Sequence, residues 1–383
     1  QLLVVELRSV GQAKQLENPD ARVALDSFNE DVDLLEKAAE SGGGCSSFDS
    51  PRFISQFWEY LKVDPSLYIY CQTAPSRDSL FSGRSQLLKW ENGKGQIAHL
   101  MDEKKRLENY SSGIWIVWSR FVGKRGICVG MMSGLPVTLY DGYAFDNNSA
   151  VIMPHNETEL SSIWSYCSSS SYHDDIRRID QKLNVTSGTL VKVPFDNHHW
   201  TKAAEEKYPH GLPKPYTSDP TQWIFHGHPC GSVAWNGEQK WTVEGSLRTD
   251  DTVLQVSVAR LLGYRWPAEL DALMELADEQ REWVKRCEAL LPFADDDGIV
   301  CIPPVRGEAS AADRLLNLLA AAYGEAWSTD VLADLLKNAD HAGKTLETWL
   351  RDKFFTQHCK LFQHRPFIWH IWDGLSDGFA ALV

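Results

Sequence analysis

Basic side chains are followed directly by short hydrogen-bonding side chains in residues 177–196, RRIDQKLNVTSGTLVKVPFD. The pattern predicts a helix over 172–182 on which Arg178 and Lys182, four residues apart, share a face with Arg177 beside them. Such a row of cations can hold phosphate groups. Carboxylates are interleaved with the cations, so the alternative is that this helix face is simply exposed to solvent and its cations are neutralised by surface ion pairs. These carboxylates are Asp174, Asp175 and Asp180.

Small polar side chains occupy the turn after this helix and the start of a strand predicted over 189–193. Asn184 carries both a donor and an acceptor, the pairing that recognises adenine in the major groove. Cations on phosphates beside short groups on base edges are the division of labour of DNA-binding proteins. The alternative role of Asn184 is a helix cap. The residues predicted to contact phosphates are Lys124, Arg125, Arg177, Arg178, Lys182 and Lys192, and those predicted to contact bases are Asn184, Thr186 and Ser187.

Three other groups of residues have side chains that could bind a metal or catalyse hydrolysis, but each lacks the complete set of residues or the spacing that such a site requires. FHGHPC at 225–230 holds two His and one Cys, yet a metal site needs a fourth ligand, and a polar turn among aromatic rings explains it as well. Glu103 and Lys105 have the spacing of a nuclease pair, but their DEKKR context favours a solvated helix face. Three aspartates at 295–297 lack the spacing of an EF-hand loop. The sequence therefore predicts no metal site.

The charge of the chain is unevenly distributed. The net charge is -14, which argues at first against a nucleic-acid partner. Residues 1–50 hold 4 Lys and Arg against 10 Asp and Glu, residues 51–230 hold 19 against 18, and residues 231–383 hold 15 against 24. The excess of acid therefore lies in the flanks, and the middle of the chain permits DNA binding.

The eight cysteines are scattered without a CxxC pair, which argues against a zinc ribbon and favours free thiols in a cytoplasmic protein. No run of eighteen apolar residues predicts a membrane span. The opening QLLVVELRSV is not typical of a signal peptide. The first residue, Gln1, and the apolar ending FAALV lead us to expect that both ends are cut. The 15 Trp residues are expected mainly in the core rather than stacked on bases or sugars.

Hydrophobic periodicity predicts a mixed α+β fold. Strands are expected at 67–71, at 126–140 as a strand, turn and strand, and at 150–153, with Asn156 capping the helix that follows. A glycine-rich joint is expected at 41–47, and a hairpin from 367–372 and 379–383. Helices are predicted over 20–40, 53–61, 100–110, 156–167, 172–182, 253–262, 268–291, 309–322, 330–338 and 345–355.

Several motifs in one order resemble a known family. MSGLPVTLYDGYAFDNNSAVIMP, IWSYCSS, the 177–196 block, GLPKPYTSDPTQWIFHGHP and the ending HRPFIWHIWDGLSDGFAALV are similar to the C-terminal half of large adenine-specific DNA methyltransferases. These are relatives of type IIG restriction–methylation enzymes and include methyltransferases of BREX- and DISARM-type phage defence. The match covers roughly residues 120–383. A looser similarity connects the chain with the specificity subunits of type I restriction enzymes.

The chain departs from this family at the catalytic motifs. The family's S-adenosylmethionine loop and N-P-P-Y adenine pocket precede the recognition region, and the one Pro-Pro here, Pro303-Pro304, lacks the flanking Asn or Asp and aromatic residue. No catalytic residue can be assigned. The resemblance implies S-adenosylmethionine as the cofactor of the parent enzyme, not bound by this segment. It also implies double-stranded DNA and an upstream catalytic domain as partners, with other defence subunits as further candidates, and no membrane.

These observations predict an α+β chain with three parts. Residues 1–50 are a helical lead-in from an upstream catalytic domain, 51–230 a target recognition domain, and 231–383 a mainly helical domain with a terminal hairpin. The predicted function is sequence-specific DNA recognition within an adenine-N6 methyltransferase of a restriction–modification or phage-defence system. Two alternatives stay open: a scaffold that docks partner subunits, and a self-contained Trp-rich carbohydrate-active enzyme, which would need two converging carboxylates.

Overall fold

A mixed α+β fold is confirmed by the structure, a computed structural model. It describes residues 32–46, 49–108, 117–132, 134–305, 307–375 and 378–383. The chain forms two compact units. The first takes Gln1–Ile54 and Ser66–Leu212, and the second takes Ser55–Pro65 and Pro213–Val383. The predicted division after residue 230 thus differs from the observed one after Leu212, while the roles assigned to the parts stay predictions.

Short strands dominate the first part of the chain. They are β1 (Ala39–Gly43), β2 (Ile54–Gln56), β3 (Tyr68–Gln72), β4 (Gln86–Lys89), β5 (Gly126–Gly130), β6 (Val137–Tyr140), β7 (Ala144–Phe145) and β8 (Ser149–Pro154). The helices of the first unit are Ser50–Phe53, Gln96–Glu108, Leu160–Cys167, Ser170–Ile179 and Asn197–Lys207. The predicted strands over 126–140 and 150–153 are confirmed, and Asn156 caps the turn before Leu160–Cys167 by accepting a hydrogen bond from Thr158 N–H.

The principal sheet of the first unit is antiparallel, in the order β1–β8–β5–β6. β5 is buried along its whole length, which requires cover on both faces. Cys128 of β5 and Val151 of β8 belong to a core cluster with Phe121 and Phe145. Because side chains alternate along a strand, Ile127 and Ile152 lie on the opposite face, toward helix Leu160–Cys167. A second sheet holds β4, β3 and β7 in that order, with β7 parallel to β3.

The glycine-rich joint predicted at 41–47 is wrong, because β1 occupies Ala39–Gly43. The glycines serve close approach rather than flexibility. A Cβ at Gly42 would lie 2.3 Å from the Phe121 ring, and one at Gly44 would lie 1.9 Å from the Asp146 carbonyl oxygen. Residues 20–31 of the helix predicted over 20–40 lie outside the described residues, and Leu35–Lys37 is a 3-10 helix. The helix predicted over 53–61 is also wrong, since β2 follows a helix that ends at Phe53.

The second unit is mainly helical, as expected. Its helices are Thr252–Leu261, Pro267–Leu270, Asp278–Arg286, Ala311–Tyr323, Thr329–Asn338, Leu346–Asp352 and Phe354–Leu361. Its strands are β9 (Val233–Asn236), β10 (Trp241–Glu244), β11 (Val300–Cys301), β12 (His370–Trp372) and β13 (Ala380–Leu382). β12 and β13 pair antiparallel, which confirms the predicted hairpin, and β11 pairs with the other edge of β13. Segment 213–230 belongs to this unit, where it buries Trp223 and Phe225.

The single helix predicted over 268–291 is broken into Pro267–Leu270, Asp278–Arg286 and a 3-10 helix, Cys287–Phe293. The carbonyl groups of Ala268, Asp271 and Met274 accept hydrogen bonds from the Arg281 guanidinium, and Asp271 C=O also accepts from Met274 N–H in a turn. Apolar residues continue at helical spacing through the loop between the first two of these helices. The sequence pattern therefore does not reveal the break.

We expect Gly44→Ala to destabilise the first unit by about 1–3 kcal/mol, because the new methyl group would overlap the backbone of Asp146. Gly43→Ala is the matched control, since a Cβ at Gly43 meets nothing within 4 Å. Urea denaturation of both variants measures the difference. Equal midpoints for the two variants would contradict the close packing of Gly44 on Asp146.

Candidate nucleic-acid interface

The predicted row of cations on one helix is corrected by the structure. Helix Ser170–Ile179 begins after Ser169, whose side chain accepts from Tyr172 N–H, and ends at Ile179 with Asp180 in an extended conformation. Its buried face carries Tyr172, Ile176 and Ile179. Lys182 lies three residues beyond the helix end, so it does not share a helical face with Arg178. The sequence pattern did not reveal this end because the charged residues continue past it.

Arg177 and Arg178 have different surroundings at the end of this helix. The half-buried Arg177 guanidinium donates to the carbonyl oxygens of Asp180 and Lys182, which holds the chain reversal in place. The exposed Arg178 pairs with Asp175 at 3.4 Å. Asp175 also accepts from Tyr166 Oη at 2.9 Å, and burial raises the pKa of this carboxyl. Arg177 therefore positions the chain, while Arg178 is partly neutralised.

The 182–187 loop is attached to the principal sheet by its backbone. Val185 N–H donates to Met131 C=O at 2.9 Å, and Asn184 forms an antiparallel bridge with Met132. Ser41 Oγ donates to the Ser187 carbonyl at 2.6 Å. Val185 is buried beneath the loop at 1% exposure. The loop is consequently fixed at both ends rather than free to move.

The three residues predicted to contact bases are not equally presented. Thr186 is exposed, but its hydroxyl is hydrogen-bonded to the Thr189 hydroxyl at 2.9 Å. Ser187 is half-buried. Asn184 is exposed, and within the described ranges no hydrogen bond engages its side chain. It does not cap the preceding helix, which ends at Ile179. Of the three residues, only Asn184 combines exposure with a polar side chain that is available to a base edge.

The strand predicted over 189–193 is wrong. Ser187–Val191 is a 3-10 helix, with Thr189 N–H bonded to Thr186 C=O and Lys192 N–H to Thr189 C=O. The Thr186–Thr189 hydroxyl bond favours this turn over an extended chain. The half-buried Lys192 follows the 3-10 helix.

Lys124 and Arg125 are not brought next to the 182–187 loop. Both are exposed and directly precede β5, whereas the loop joins the backbone just after β5. The path from Arg125 to Met131 along an extended strand is about 20 Å. About 20 Å corresponds to roughly six base pairs of B-DNA at 3.4 Å each, so one duplex could reach both ends of the sheet.

Sequence reasoning missed a second polar loop at the same end of the sheet. The Asp146–Asn148 turn joins β7 to β8, and Asn148 C=O accepts from Met131 N–H at 3.0 Å. Asn147 and Asn148 are both exposed. The Asn-Asn pair between two strands signals a turn, but its closeness to Asn184 depends on the fold.

The other groups of reactive side chains are structural. His228 N–H donates to His226 Nδ1 at 2.9 Å, and burial lowers the pKa of His228 to about 3. Asp295 is paired with Arg314 and accepts three backbone N–H groups. Glu103 and Lys105 are exposed on helix Gln96–Glu108. Across the residues with a described placement, we find no cluster of three or more His, Cys, Asp or Glu arranged to hold a metal ion.

All eight cysteines are free thiols, as the sequence predicts. Six of them are buried, and burial is the main cause that raises the pKa of Cys45 and Cys128 to about 12. Among the helices of the described segments, none is both long and apolar enough to cross a bilayer.

Comparisons with known proteins do not assign this chain to a family. No family model matches the chain, and no curated protein matches it. Among solved structures, the type IIL restriction-modification enzyme MmeI in complex with DNA aligns with 83% of this chain and 37% of its own, at 11% identity and a TM-score of 0.28. This chain thus spans about a third of that enzyme's length. A likeness at this level does not establish a shared fold.

We expect Arg177→Ala to lower the free energy of unfolding by about 1–3 kcal/mol, because its charged donors satisfy two carbonyl groups at the chain reversal. Arg178→Ala is the matched control and should change it by less than about 1 kcal/mol, since its ion pair is largely exposed. Thermal and urea denaturation compare the two variants. The opposite ranking would contradict the positioning role of Arg177.

Proposed function

We propose that this chain is the DNA-recognition portion of an adenine-N6 DNA methyltransferase from a restriction–modification or phage-defence system. The observation that carries the DNA-binding part is the 182–187 loop. A backbone hydrogen bond to Met131 and a hydrogen bond from the Ser41 hydroxyl fix it to the sheet, and it presents the exposed Asn184 two residues from the exposed Lys182. A rigid support with outward polar side chains is what accurate recognition of a base requires.

The chemistry of the loop fits a duplex. The Lys182 ammonium can neutralise a phosphate, which contributes affinity for any sequence. The Asn184 amide can donate to N7-side acceptors and accept from an exocyclic amine, so it can pair with adenine in the major groove and contribute specificity. The two roles are separated in the chain by Leu183 alone, and one groove contact can therefore engage both.

Charge favours the first unit as the DNA-binding one. The first unit holds 21 Lys and Arg against 25 Asp and Glu, a net charge of -4, whereas the second holds 17 against 27, a net charge of -10. The strong negative potential of the second unit repels phosphates. The same acidity favours the second candidate function for that unit alone, the docking of partner subunits with basic surfaces.

The methyltransferase part of the proposal rests on the sequence resemblance and assigns no catalytic residue to this chain. S-adenosylmethionine would be bound by a catalytic domain elsewhere in the parent enzyme. The recognition portion would hold the duplex while one adenine is turned out of the stack into that domain. A cytoplasmic location belongs to the same proposal.

The buried tryptophans do not support a Trp-rich carbohydrate site, and the exposed Trp369 and Trp372, at 53% and 58%, both lie at the terminal hairpin. Trp58, Trp118, Trp223, Trp266 and Trp349 are fully buried. Trp164 is 3% exposed and donates through Nε1 to Tyr208 Oη at 3.1 Å. These side chains pack the interiors of their units and do not offer flat rings to a sugar.

We expect Lys182→Ala to weaken binding of a mixed duplex pool and to reduce the slope of log K against log salt by about 0.9, one phosphate contact. Asn184→Ala should leave that slope unchanged and reduce the preference for the proper site. Lys202→Ala, which removes another exposed charge, from helix Asn197–Lys207, is the control. Fluorescence anisotropy at several salt concentrations gives the slopes. An unaltered slope for Lys182→Ala would refute its phosphate contact.

A further inference from the structure

The Asp146–Asn148 turn is held in one conformation by an unusually complete set of contacts. Asp146 N–H donates to Gln72 C=O at 3.1 Å, and Ser149 N–H donates to Asp146 C=O at 3.2 Å. The Asp146 carboxylate accepts from Ser149 Oγ and from Asn148 Nδ2. Cys45 forms a parallel bridge with Asp146 across the close approach of Gly44. Together these contacts fix the conformation of the turn.

Asn147 stands at the tip of this turn. Its side chain is exposed, and within the described parts of the chain no hydrogen bond engages it. Asn147 and Asn148 also line a pocket of about 140 Å³ beside the turn, with Gln86 on its wall. The side chain of Asn147 therefore borders open space, and none of the described residues forms a hydrogen bond with it.

Met131 places this turn beside the 182–187 loop. Its N–H donates to Asn148 C=O at 3.0 Å, and its C=O accepts from Val185 N–H at 2.9 Å. The backbones of Asn148 and Val185 are thus each one hydrogen bond from the same residue. Two strand spacings, about 10 Å, are the greatest separation that this arrangement allows. Asn147 and Asn184 therefore stand at the same end of the sheet.

We infer that Asn147 is a second base-recognising residue, acting on the same duplex groove as Asn184, with Asn148 as its positioning residue. This inference rests on the proposed DNA-recognition function. The backbones of Asn148 and Val185 are both hydrogen-bonded to Met131, so the adjacent Asn147 and Asn184 can reach one stretch of duplex, whose base pairs rise about 3.4 Å each. Lys182, two residues from Asn184, supplies the phosphate contact at this end. The carboxylate of Asp146 in this turn is hydrogen-bonded to Ser149 and Asn148.

The test is selection of bound duplexes from a random pool by the whole 383-residue chain, followed by sequencing. Asn147→Asp converts an amide suited to adenine into a carboxylate suited to the cytosine amine. We expect the preference at one base pair to change from adenine toward cytosine by about tenfold. Asn147→Ala should lose the preference at that base pair, and Asn184→Asp is the matched variant on the neighbouring loop.

The outcomes separate this inference from the function on which it rests. A wild-type chain that selects no sequence would overturn the proposed function itself. A wild-type motif that changes with Asn184→Asp but with neither Asn147 variant would overturn the role of Asn147 alone. Because no hydrogen bond of the described residues engages this side chain, Asn147→Ala should melt at the temperature of the wild type. An equal melting temperature shows that a changed motif does not come from unfolding.

Discussion

The backbone of Met131 is the point on which the candidate interface depends. β5 ends at Gly130, and the next residue still has a donor and an acceptor at the end of a buried strand. A buried backbone group without a partner costs about 1–3 kcal/mol. Asn148 C=O satisfies the donor and Val185 N–H satisfies the acceptor. Because both bonds are backbone bonds, two polar loops are fixed to one strand end whatever side chains they carry.

The turn between β7 and β8 depends on a close approach of two backbone segments. Gly44 lets the chain after β1 pass against the Asp146 carbonyl, where a Cβ would lie 1.9 Å away. Cys45 N–H can then bond to Phe145 C=O at 2.7 Å, and the turn between β7 and β8 is closed from behind. The buried sheet and the core cluster around Phe121 and Phe145 supply the rigid support. Asn184 and Asn147 are exposed on this support, and because the loop backbones are already fixed, binding does not have to order them.

The sequence predicts the elements whose pattern is local. The apolar β-branched run 126–140 and the helix Thr252–Leu261 are found where the periodicity places them. It fails where a distant side chain captures backbone groups, as Arg281 does between the helices Pro267–Leu270 and Asp278–Arg286. It also mistakes glycines for a joint at 41–47, because packing against Phe121 and Asp146 is not visible locally.

The candidate site was predicted in part. The block at 177–196 directs attention to Asn184 and Lys182, and both prove exposed on one loop. The helix end at Ile179 removes the expected partnership of Arg178 with Lys182, and Arg177 proves to be engaged with the carbonyls of Asp180 and Lys182. Asn147 was not predicted, because its position beside Asn184 arises through Met131, which is far from both in sequence.

The most direct test is hydrogen–deuterium exchange of the whole chain with and without a duplex DNA pool at low salt. Peptides that cover 145–149 and 181–188 should exchange more slowly with DNA, because both loops meet the duplex at one end of the sheet. Peptides from the acidic second unit, such as those covering the β12–β13 hairpin, should be unchanged. Protection of the hairpin with both loops unaffected would contradict the account.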